Sequence, residues 1–326
     1  MTNFKKRKIV IATGGTGGHI FPAYSLARYF IEKKQPVEIV TDKRGFKYLQ
    51  KYQDLNITIN NSTTIFKKNI IKKIYSFIII LFSFFKGLIF LNKTKPKLVF
   101  GMGGYSSFPI CLASKILKIP FIIYENNLIT GKANKYLLPI AYKIFVAYPE
   151  VHGINKKYKS KIFLTGNILR KEIFDFNKDN KKLNNDILSI LVLGGSQAAK
   201  AFGELLPNIF KKCLESGIKL KIYQQCTESQ NLMLENFYKL NNIDYEIFNF
   251  SNNILKYFSK INLAITRSGS SMLAELINLK IPFIAIPLPT SADNHQLKNA
   301  IYYEKKGFGY LIAEKDINDQ LYDLIK

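Results

Sequence analysis

Apolar residues follow two patterns that alternate along the chain. Short runs rich in Ile, Val and Phe are typical of buried parallel strands, and segments with apolar residues at helical spacing are typical of helices. In the first half the runs lie at 8–12, 37–40, 98–101, 121–124 and 144–147. The first helix is expected over 21–30, with Pro22 tolerated in its first turn. This alternation predicts a parallel α/β sheet.

The second half of the chain begins the same alternation again. The polar stretch "NKDNKKLNNDI" predicts a linker or a surface loop, and "ILSILVLGGSQAAKAF" after it predicts a strand, a Gly-Gly turn and a helix. The chain of 326 residues is also longer than a typical single core. We therefore predict two Rossmann-like, doubly wound domains that face a cleft, residues 1–168 and 169–326.

The segment "IYSFIIILFSFFKGLIFL" at 74–91 is nearly as long as the ~20 apolar residues that span a bilayer. On a helical projection one face collects Lys72, Ser76, Ser83, Lys86, Gly87 and Lys93, and the remaining arc is apolar. Because a lysine interrupts the run and a strand follows at once, we expect an amphipathic helix with one side on the core and another at a membrane interface. Flanking lysines at 67, 68, 72, 73, 93, 95 and 97 suit anionic headgroups. A membrane-spanning helix and a buried core helix are the alternatives.

Composition narrows the classes of partner. Lys and Arg outnumber Asp and Glu by 48 to 23, a net charge of +25, which indicates nucleic acid, an anionic membrane or phosphorylated ligands. Drift in an A/T-biased genome also produces such a charge, and no RNA-recognition or zinc-finger pattern accompanies it, so nucleic acid is not expected. Cys111, Cys213 and Cys226 fit neither a disulfide framework nor a zinc site. The start "MTNFKKRKIVIATGG" does not predict a signal peptide, because its apolar stretch is too short.

The turn after the first strand, "GGTGGH", carries the first candidate chemistry. Its glycines permit close approach to the backbone, and the helix N-terminus after it suits an anion, although the spacing matches neither a dinucleotide fingerprint nor a P-loop. His19 is a candidate general base, with a capping or core histidine as the alternative. The turn "GMGGYSS" and the residues Glu125, Asn126 and Asn127 follow other parallel strands, so they are expected near His19. Glu125 is a second candidate base, an orienting group or a solvated carboxylate.

The second half offers groups for a nucleotide sugar. In "ITRSGSSMLAELI", Ser270 or Ser271 is expected to cap a helix whose first amides suit a pyrophosphate. Glu275 on that helix suits a ribose diol. In "DNHQLKNA", amide and carboxylate side chains suit the hydroxyls of a sugar.

Seven motifs resemble the MurG family in identity and order: "GGTGGHIFPA", "GMGGYSSFP", "ENN…GKANK", "TGNILR", "LGGSQAAKAFGELLP", "TRSGSSMLAEL" and "DNHQLKNA". They cover the chain from residue 8 to about residue 300. The family comprises bacterial N-acetylglucosaminyltransferases of peptidoglycan synthesis, cell-wall enzymes linked to cell shape and division. The resemblance implies the GT-B fold and inverting transfer of GlcNAc from UDP-GlcNAc to lipid I, which gives lipid II. It also implies a peripheral enzyme on the cytoplasmic face of the inner membrane. The first domain would bind acceptor and membrane, and the second would bind the donor.

The resemblance also assigns site residues by position. The donor-binding residues are Thr16, Gly17, Gly18, Asn127, Arg170, Ser196, Phe250, Ser251, Ser270, Ser271, Met272, Leu273, Ala274, Glu275 and Gln296. Gly104 and Tyr105 face the acceptor, His19 is the first choice of base and Glu125 the second. No cofactor is implied, and no Asp-x-Asp motif for a catalytic metal occurs, although free Mg²⁺ could assist the leaving group.

Several positions depart from the family pattern. Ile168 stands where proline is usual, Tyr124 and Asn126 where His and Gln are common, and Ala198 where Gly is usual. The chain also ends at "NDQLYDLIK", short of the last helices expected from relatives. A related lipid glycosyltransferase with another acceptor, or a non-catalytic nucleotide-sugar-binding protein at the membrane, is the alternative function.

Overall fold

The computed structural model describes residues 7–64, 69–176, 186–249, 251 and 254–326, without the side chains of 196–199. It divides into two compact units, Met1–Arg170 and Lys171–Lys326. The division falls two residues after the predicted one, so Leu169 and Arg170 belong to the first unit and not to the second. Most of the predicted linker, residues 177–185, lies outside the described residues.

Seven parallel strands form the sheet of the first unit. They are β1 Ile9–Ala12, β2 Val37–Thr41, β3 Ile57–Ile59, β4 Leu98–Gly101, β5 Phe121–Glu125, β6 Lys143–Val146 and β7 Ile162–Leu164, in the order β3-β2-β1-β4-β5-β6-β7. The helices between them are α1 Gly17–Glu32, α2 Lys43–Leu49, α3 Ile70–Thr94, α4 Ser107–Ile116 and α5 Lys132–Leu137. All five predicted strands are present, with ends that differ by one residue at most.

The sheet of the second unit has six parallel strands. They are β8 Leu188–Leu193, β9 Leu220–Gln225, β10 Asp244–Phe248, β11 Leu263–Thr266, β12 Phe283–Ala285 and β13 Tyr310–Leu311, in the order β10-β9-β8-β11-β12-β13. Its helices are α6 Lys171–Phe174, α7 Gly195–Glu215, α8 Asn231–Leu240, α9 Leu255–Phe258, α10 Ser270–Asn278, α11 His295–Glu304 and α12 Ile317–Ile325. The prediction of two doubly wound α/β units is thus confirmed.

Each sheet reverses its strand order once, and the reversal positions the site. In the first unit, β1 pairs with both β2 and β4, and in the second unit β8 pairs with both β9 and β11. The loops that leave the carboxyl ends of such a strand pair open a crevice, because the two chain paths turn away from each other there. The "GGTGGH" and "GMGGY" turns leave β1 and β4, and the Gly194-Gly195 and "RSGS" turns leave β8 and β11.

The first helix begins earlier than predicted. α1 starts at Gly17, so Pro22 is its sixth residue and lies inside the helix instead of in its first turn. A proline there cannot donate the amide hydrogen bond that the carbonyl of Gly18, four residues earlier, would receive in a regular helix.

Candidate functional site

His19 lies where the two glycine turns of the first unit meet. A methyl group built on Gly103 would come within 2.9 Å of the His19 Cε1 and 3.0 Å of its Nδ1, and one on Gly104 within 3.4 Å of its Cδ2. Both glycines have positive φ, 85° and 74°. The imidazole is half-buried, and the Thr13 hydroxyl donates to the His19 carbonyl (3.0 Å). The ring is therefore packed against backbone that only glycine leaves room for.

A carboxylate at the end of β2 holds the "GGTGGH" turn. Asp42 is buried, and its Oδ1 accepts hydrogen bonds from the amides of Gly45 (2.8 Å) and Gly15 (3.2 Å). The first bond caps α2, and the second fixes the turn after β1. Asp42 was not predicted from the sequence, although its place directly after a β-strand is a signal that could have revealed it.

Glu125 is buried beneath the loop that follows β5. Its carboxylate accepts from the Asn127 amide (3.0 Å) and side chain (3.3 Å), from the Gly131 amide (2.8 Å) and from Asn134 Nδ2 (2.9 Å). Burial raises the pKa of Glu125 above its usual value, and these hydrogen bonds partly oppose the rise. Both oxygens are thus committed to shaping the loop, which favours the orienting role over that of a base.

Asn126 connects this loop to α1. Its Nδ2 donates to the carbonyl of Gly18 (2.8 Å), the carbonyl that cannot receive a bond from Pro22. Its Oδ1 accepts from Asn127 Nδ2 (2.9 Å), and the side chain is only 3% exposed. Asn127 and the first turn of α1, which carries His19, are thereby held in one hydrogen-bonded arrangement, as predicted from their places after parallel strands.

Other predicted residues of the first unit have varied exposure. Thr16 and Gly18 are exposed, and Gly17 between them is half-buried. Tyr105, in the turn after β4, is also half-buried. Thr16 precedes α1 but makes no side-chain cap. The half-buried Arg170 places its guanidinium 5.7 Å from the centroid of the Phe21 ring on α1.

In the second unit, Gly195 opens α7 with a φ of 68°. Its amide donates to Gln225 Oε1 (3.2 Å), and Gln225 Nε2 donates to the Asn249 carbonyl (3.0 Å). Gln225 thus links the glycine turn to the end of β10, a connection that the sequence analysis missed. The Ser196 side chain and Phe250 lie outside the described residues, and the half-buried Ser251 follows directly.

The helix α10 differs from its predicted start. Gly269, in extended conformation, precedes it as the N-cap, and Ser270 is already helical, so neither Ser270 nor Ser271 is the capping residue. Glycine serves as an N-cap at little cost, and the first amides of the helix still point out of its N-terminus. Ser270 to Glu275 lie in the first six positions. Of these, Ser271 and Met272 are half-buried, and Ser270, Leu273, Ala274 and Glu275 are buried.

Arg267, directly after β11, organises the loop after β12. Its buried guanidinium donates to the carbonyls of Ile286 and Pro287 (both 3.2 Å) and pairs with Glu314. In the same loop, the amide of Leu288, which follows Pro287, donates to Gln296 Oε1 (2.9 Å). With that oxygen engaged, the Gln296 amide nitrogen is the end suited to donate to a hydroxyl.

The helix α3 packs on the first unit through its small residues. Ser76, Ser83, Gly87 and Leu91 are buried, and a methyl group on Gly87 would lie 3.0 Å from Ile110 Cδ1 of α4. The opposite face exposes large apolar side chains: Ile70, Ile71, Ile74, Tyr75, Phe77, Ile78, Leu81, Phe82, Phe85 and Ile89. By length and composition this helix could cross a membrane, with a mean hydropathy of 2.3 over its most apolar window, of which 22% is buried. The serines predicted on the polar face therefore contact protein, and the apolar arc is left exposed.

Within the ranges that the structure describes, no group of three or more His, Cys, Asp or Glu side chains is placed to hold a metal ion.

Two domain families match the chain in order. Residues 9–146 match the glycosyltransferase family 28 N-terminal domain, and residues 189–326 match the glycosyltransferase family 28 C-terminal domain. Among solved structures, that of Acinetobacter baumannii MurG superposes with a TM-score of 0.74 at 25% identity, over 98% of this chain and 90% of that one. A Streptomyces glycosyltransferase, SsfS6, complexed with thymidine diphosphate, shares the fold at 12% identity, with a TM-score of 0.64.

Curated relatives match at higher identity. The protein of Pelagibacter ubique is 38% identical over 314 residues, 96% of this chain and 86% of that protein. The protein of Rickettsia bellii is 34% identical over 318 residues, 96% of this chain and 88% of that protein. Both are named UDP-N-acetylglucosamine–N-acetylmuramyl-(pentapeptide) pyrophosphoryl-undecaprenol N-acetylglucosamine transferase. With this identity over nearly its whole length and both family 28 domains in order, the chain belongs to the MurG family of GT-B glycosyltransferases.

Proposed function

We propose that this chain transfers N-acetylglucosamine from UDP-N-acetylglucosamine to lipid I, the undecaprenyl-pyrophosphoryl-MurNAc-pentapeptide, and so makes lipid II for peptidoglycan synthesis. The observation that carries the proposal is the 32–38% identity, over nearly the full chain, with relatives named for this transfer. UDP-GlcNAc is thus a substrate and not a cofactor. That no cofactor or divalent ion is required stays a prediction.

The chemical step is a displacement with inversion at the anomeric carbon of GlcNAc. His19 removes the proton of the acceptor hydroxyl while that oxygen forms the bond to C1. The bond from C1 to the phosphate oxygen breaks, and its electron pair leaves with UDP as negative charge. General-base removal of the proton contributes typically 10²–10⁴-fold to the rate. The packing of the imidazole against Gly103 and Gly104 supports this role, because a base is effective only when its position is fixed.

The carboxylate of Glu125 acts through the loop that it shapes. Its bonds to Asn127 and Gly131 fix Asn127, which contacts the transferred sugar in this proposal. Thr16, Gly17 and Gly18 approach the sugar-phosphate of the donor, and Gly104 and Tyr105 face the acceptor.

Donor recognition falls to the turns after β8 and β11 and to the residues around Gln296. The helix start at Ser270 and Ser271, together with Arg170 and Ser196, stabilises the departing pyrophosphate, since helix N-termini favour anions. Glu275 accepts hydrogen bonds from the ribose diol, and Gln296 donates to GlcNAc hydroxyls. Phe250 and Ser251 border the uracil. The residues that line the helix start are Met272, Leu273 and Ala274. Loss of the Glu275 carboxylate in Glu275→Ala is expected to weaken donor binding by about 1–3 kcal/mol.

The exposed apolar face of α3 supports a peripheral location on the cytoplasmic face of the inner membrane. Soluble proteins rarely expose so large a contiguous apolar face, and exposed lysines at 72, 73, 86 and 93 accompany it. We infer that this face enters the headgroup region of an anionic membrane, where the lipid acceptor resides.

An acceptor panel tests the proposed reaction. The chain is incubated with labelled UDP-GlcNAc and either a lipid I analogue or diacylglycerol, and transfer and UDP release are scored. Transfer to the lipid I analogue is expected. Transfer to diacylglycerol alone contradicts the assigned acceptor, and donor binding without turnover contradicts catalysis.

Vesicle sedimentation tests the membrane face. Phe82→Lys combined with Phe85→Lys should release the protein from vesicles containing phosphatidylglycerol, because both side chains are more than half exposed. Leu240→Lys, at an exposed apolar residue of the other unit, is the matched control and should bind as the parent does. Retained binding of the double variant, with an intact fold, contradicts the assignment of this face.

A further inference from the structure

The phenol of Tyr124 joins β5 to the segment that leads into Arg170. Its oxygen accepts a hydrogen bond from the Ile168 amide (3.0 Å), and its hydroxyl donates to the Gly166 carbonyl (3.2 Å). The side chain is only 2% exposed. This one buried hydroxyl group therefore acts both as acceptor and as donor, and it holds the backbone at Ile168 and at Gly166.

The segment from Gly166 to Arg170 has no helix or strand of its own. Gly166 has a φ of 73°, and the residues up to Arg170 are only half-buried. The two hydrogen bonds with Tyr124 anchor this segment to the sheet. The guanidinium of Arg170 lies two residues beyond the last of them, at 5.7 Å from the Phe21 ring centroid.

Tyr124 and Ile168, two positions that depart from the family pattern, are therefore joined by a direct hydrogen bond. A hydrogen bond to the Tyr124 oxygen needs an amide proton at position 168, and proline has none. Ile168 supplies that proton. Burial raises the pKa of the Tyr124 phenol above its usual value, which favours the protonated hydroxyl that donates to Gly166.

We propose that Tyr124 is a positioning residue for the reaction: through the backbone of Gly166 and Ile168 it fixes the guanidinium of Arg170 for the pyrophosphate of the donor. The proposal rests on the role assigned to Arg170 under the proposed function. Tyr124 itself contacts neither substrate in this account.

Tyr124→Phe removes the hydroxyl and keeps the ring, so it isolates the two hydrogen bonds. We expect kcat/KM for UDP-GlcNAc to fall about tenfold, because a misplaced guanidinium stabilises the departing pyrophosphate less well. The KM of the lipid I analogue should be unchanged. Ile168→Pro, which removes the amide donor, should give a similar loss, and the double variant should be no worse than the poorer single one. Tyr238→Phe is the matched control, because it removes another buried phenol hydroxyl, bonded to Gln224, and should leave kcat/KM as in the parent.

The decisive readout is the combination with Arg170→Ala. If Tyr124 acts through Arg170, Tyr124→Phe costs nothing further in the Arg170→Ala background, a result that general loss of stability does not produce. A full tenfold loss in that background, or wild-type kcat/KM in a folded Tyr124→Phe protein, overturns the proposal. Should Tyr124→Phe fail to fold, Ile168→Pro carries the same test. Unchanged donor kinetics in Arg170→Ala itself would instead contradict the role given to Arg170.

Discussion

Replacing Gly103 by alanine should slow transfer by displacing His19. The added methyl group would lie 2.9 Å from the imidazole Cε1 and 3.0 Å from Nδ1, whereas carbon atoms in ordinary contact are about 3.5–4.0 Å apart. The ring must therefore move by about 0.5–1 Å to accept the methyl group. A misplacement of about 1 Å can cost about 10²-fold in rate, so we expect kcat to fall by about 10- to 10²-fold.

The substitution also strains the backbone. Gly103 has a φ of 85°, and placing an L-residue in a left-handed conformation costs about 1–2 kcal/mol. Gly217→Ala separates this cost from the catalytic effect, since Gly217 has a φ of 91° and nothing within 4 Å of an added methyl group. Both variants should lose similar stability, but Gly217→Ala should keep the turnover of the parent.

The assay combines three measurements on each variant. UDP release under saturating substrates gives kcat, calorimetric titration gives the affinity for UDP-GlcNAc, and thermal unfolding gives stability. We expect Gly103→Ala to lose kcat and to keep donor affinity. In a His19→Ala background, Gly103→Ala should cost no further activity. A folded Gly103→Ala protein with the turnover of the parent, or an additive loss in the His19→Ala background, refutes the link between this glycine and the base.

Three further predictions concern buried polar groups. Asn126→Ala removes the side-chain donor to the Gly18 carbonyl. It should lower the free energy of unfolding, measured in urea, by about 1–3 kcal/mol, and it should also lower kcat. Unchanged values of both contradict the bridge to α1. The pKa of Glu125 is raised in the folded state, so the stability it contributes is fully present below its unfolded pKa of about 4.3 and is lost as pH rises through the folded value. Relative to Glu125→Gln, the wild type should therefore lose stability with rising pH, and a difference independent of pH contradicts the raised pKa. Glu314→Ala leaves the buried guanidinium of Arg267 without its ion pair and should cost up to about 3–5 kcal/mol, whereas Glu304→Ala, at an exposed residue, should cost less.

The five inner strands of the first sheet could be predicted because most of their side chains are buried. The edge strands β3 and β7 are half-buried or exposed and were not predicted. β4 occupies the predicted residues 98–101, and the glycine turns follow β1, β4 and β8 as predicted. The predicted start of α1 was wrong because a proline usually lies in the first turn of a helix. Here Asn126, in the loop after β5, donates to the Gly18 carbonyl, which cannot receive a hydrogen bond from Pro22.

The contacts inside the site could not be predicted from local pattern. Asp42 and Gly15 are 27 residues apart, Asn126 and Gly18 are 108 apart, and Tyr124 and Ile168 are 44 apart. Each bond depends on how strands of one sheet, adjacent or one strand apart, align near their carboxyl ends. A single sequence does not give that alignment for side chains. The sequence named Tyr124 and Ile168 only as departures from a family pattern, and it placed Asn126 near His19 without a partner. The structure gives each of the three a hydrogen-bond partner.

The most direct test of the account compares the wild-type chain with His19→Ala in transfer from UDP-GlcNAc to a lipid I analogue across pH. The wild type should form one β-linked product and one UDP per GlcNAc transferred. His19→Ala should bind UDP-GlcNAc as the wild type does, turn over about 10²–10⁴-fold more slowly, and lose the limb of the pH profile near pH 6–7 where imidazole titrates. A folded His19→Ala protein that keeps the rate and the pH profile of the wild type would contradict the central claim that the imidazole held by the two glycine turns is the base.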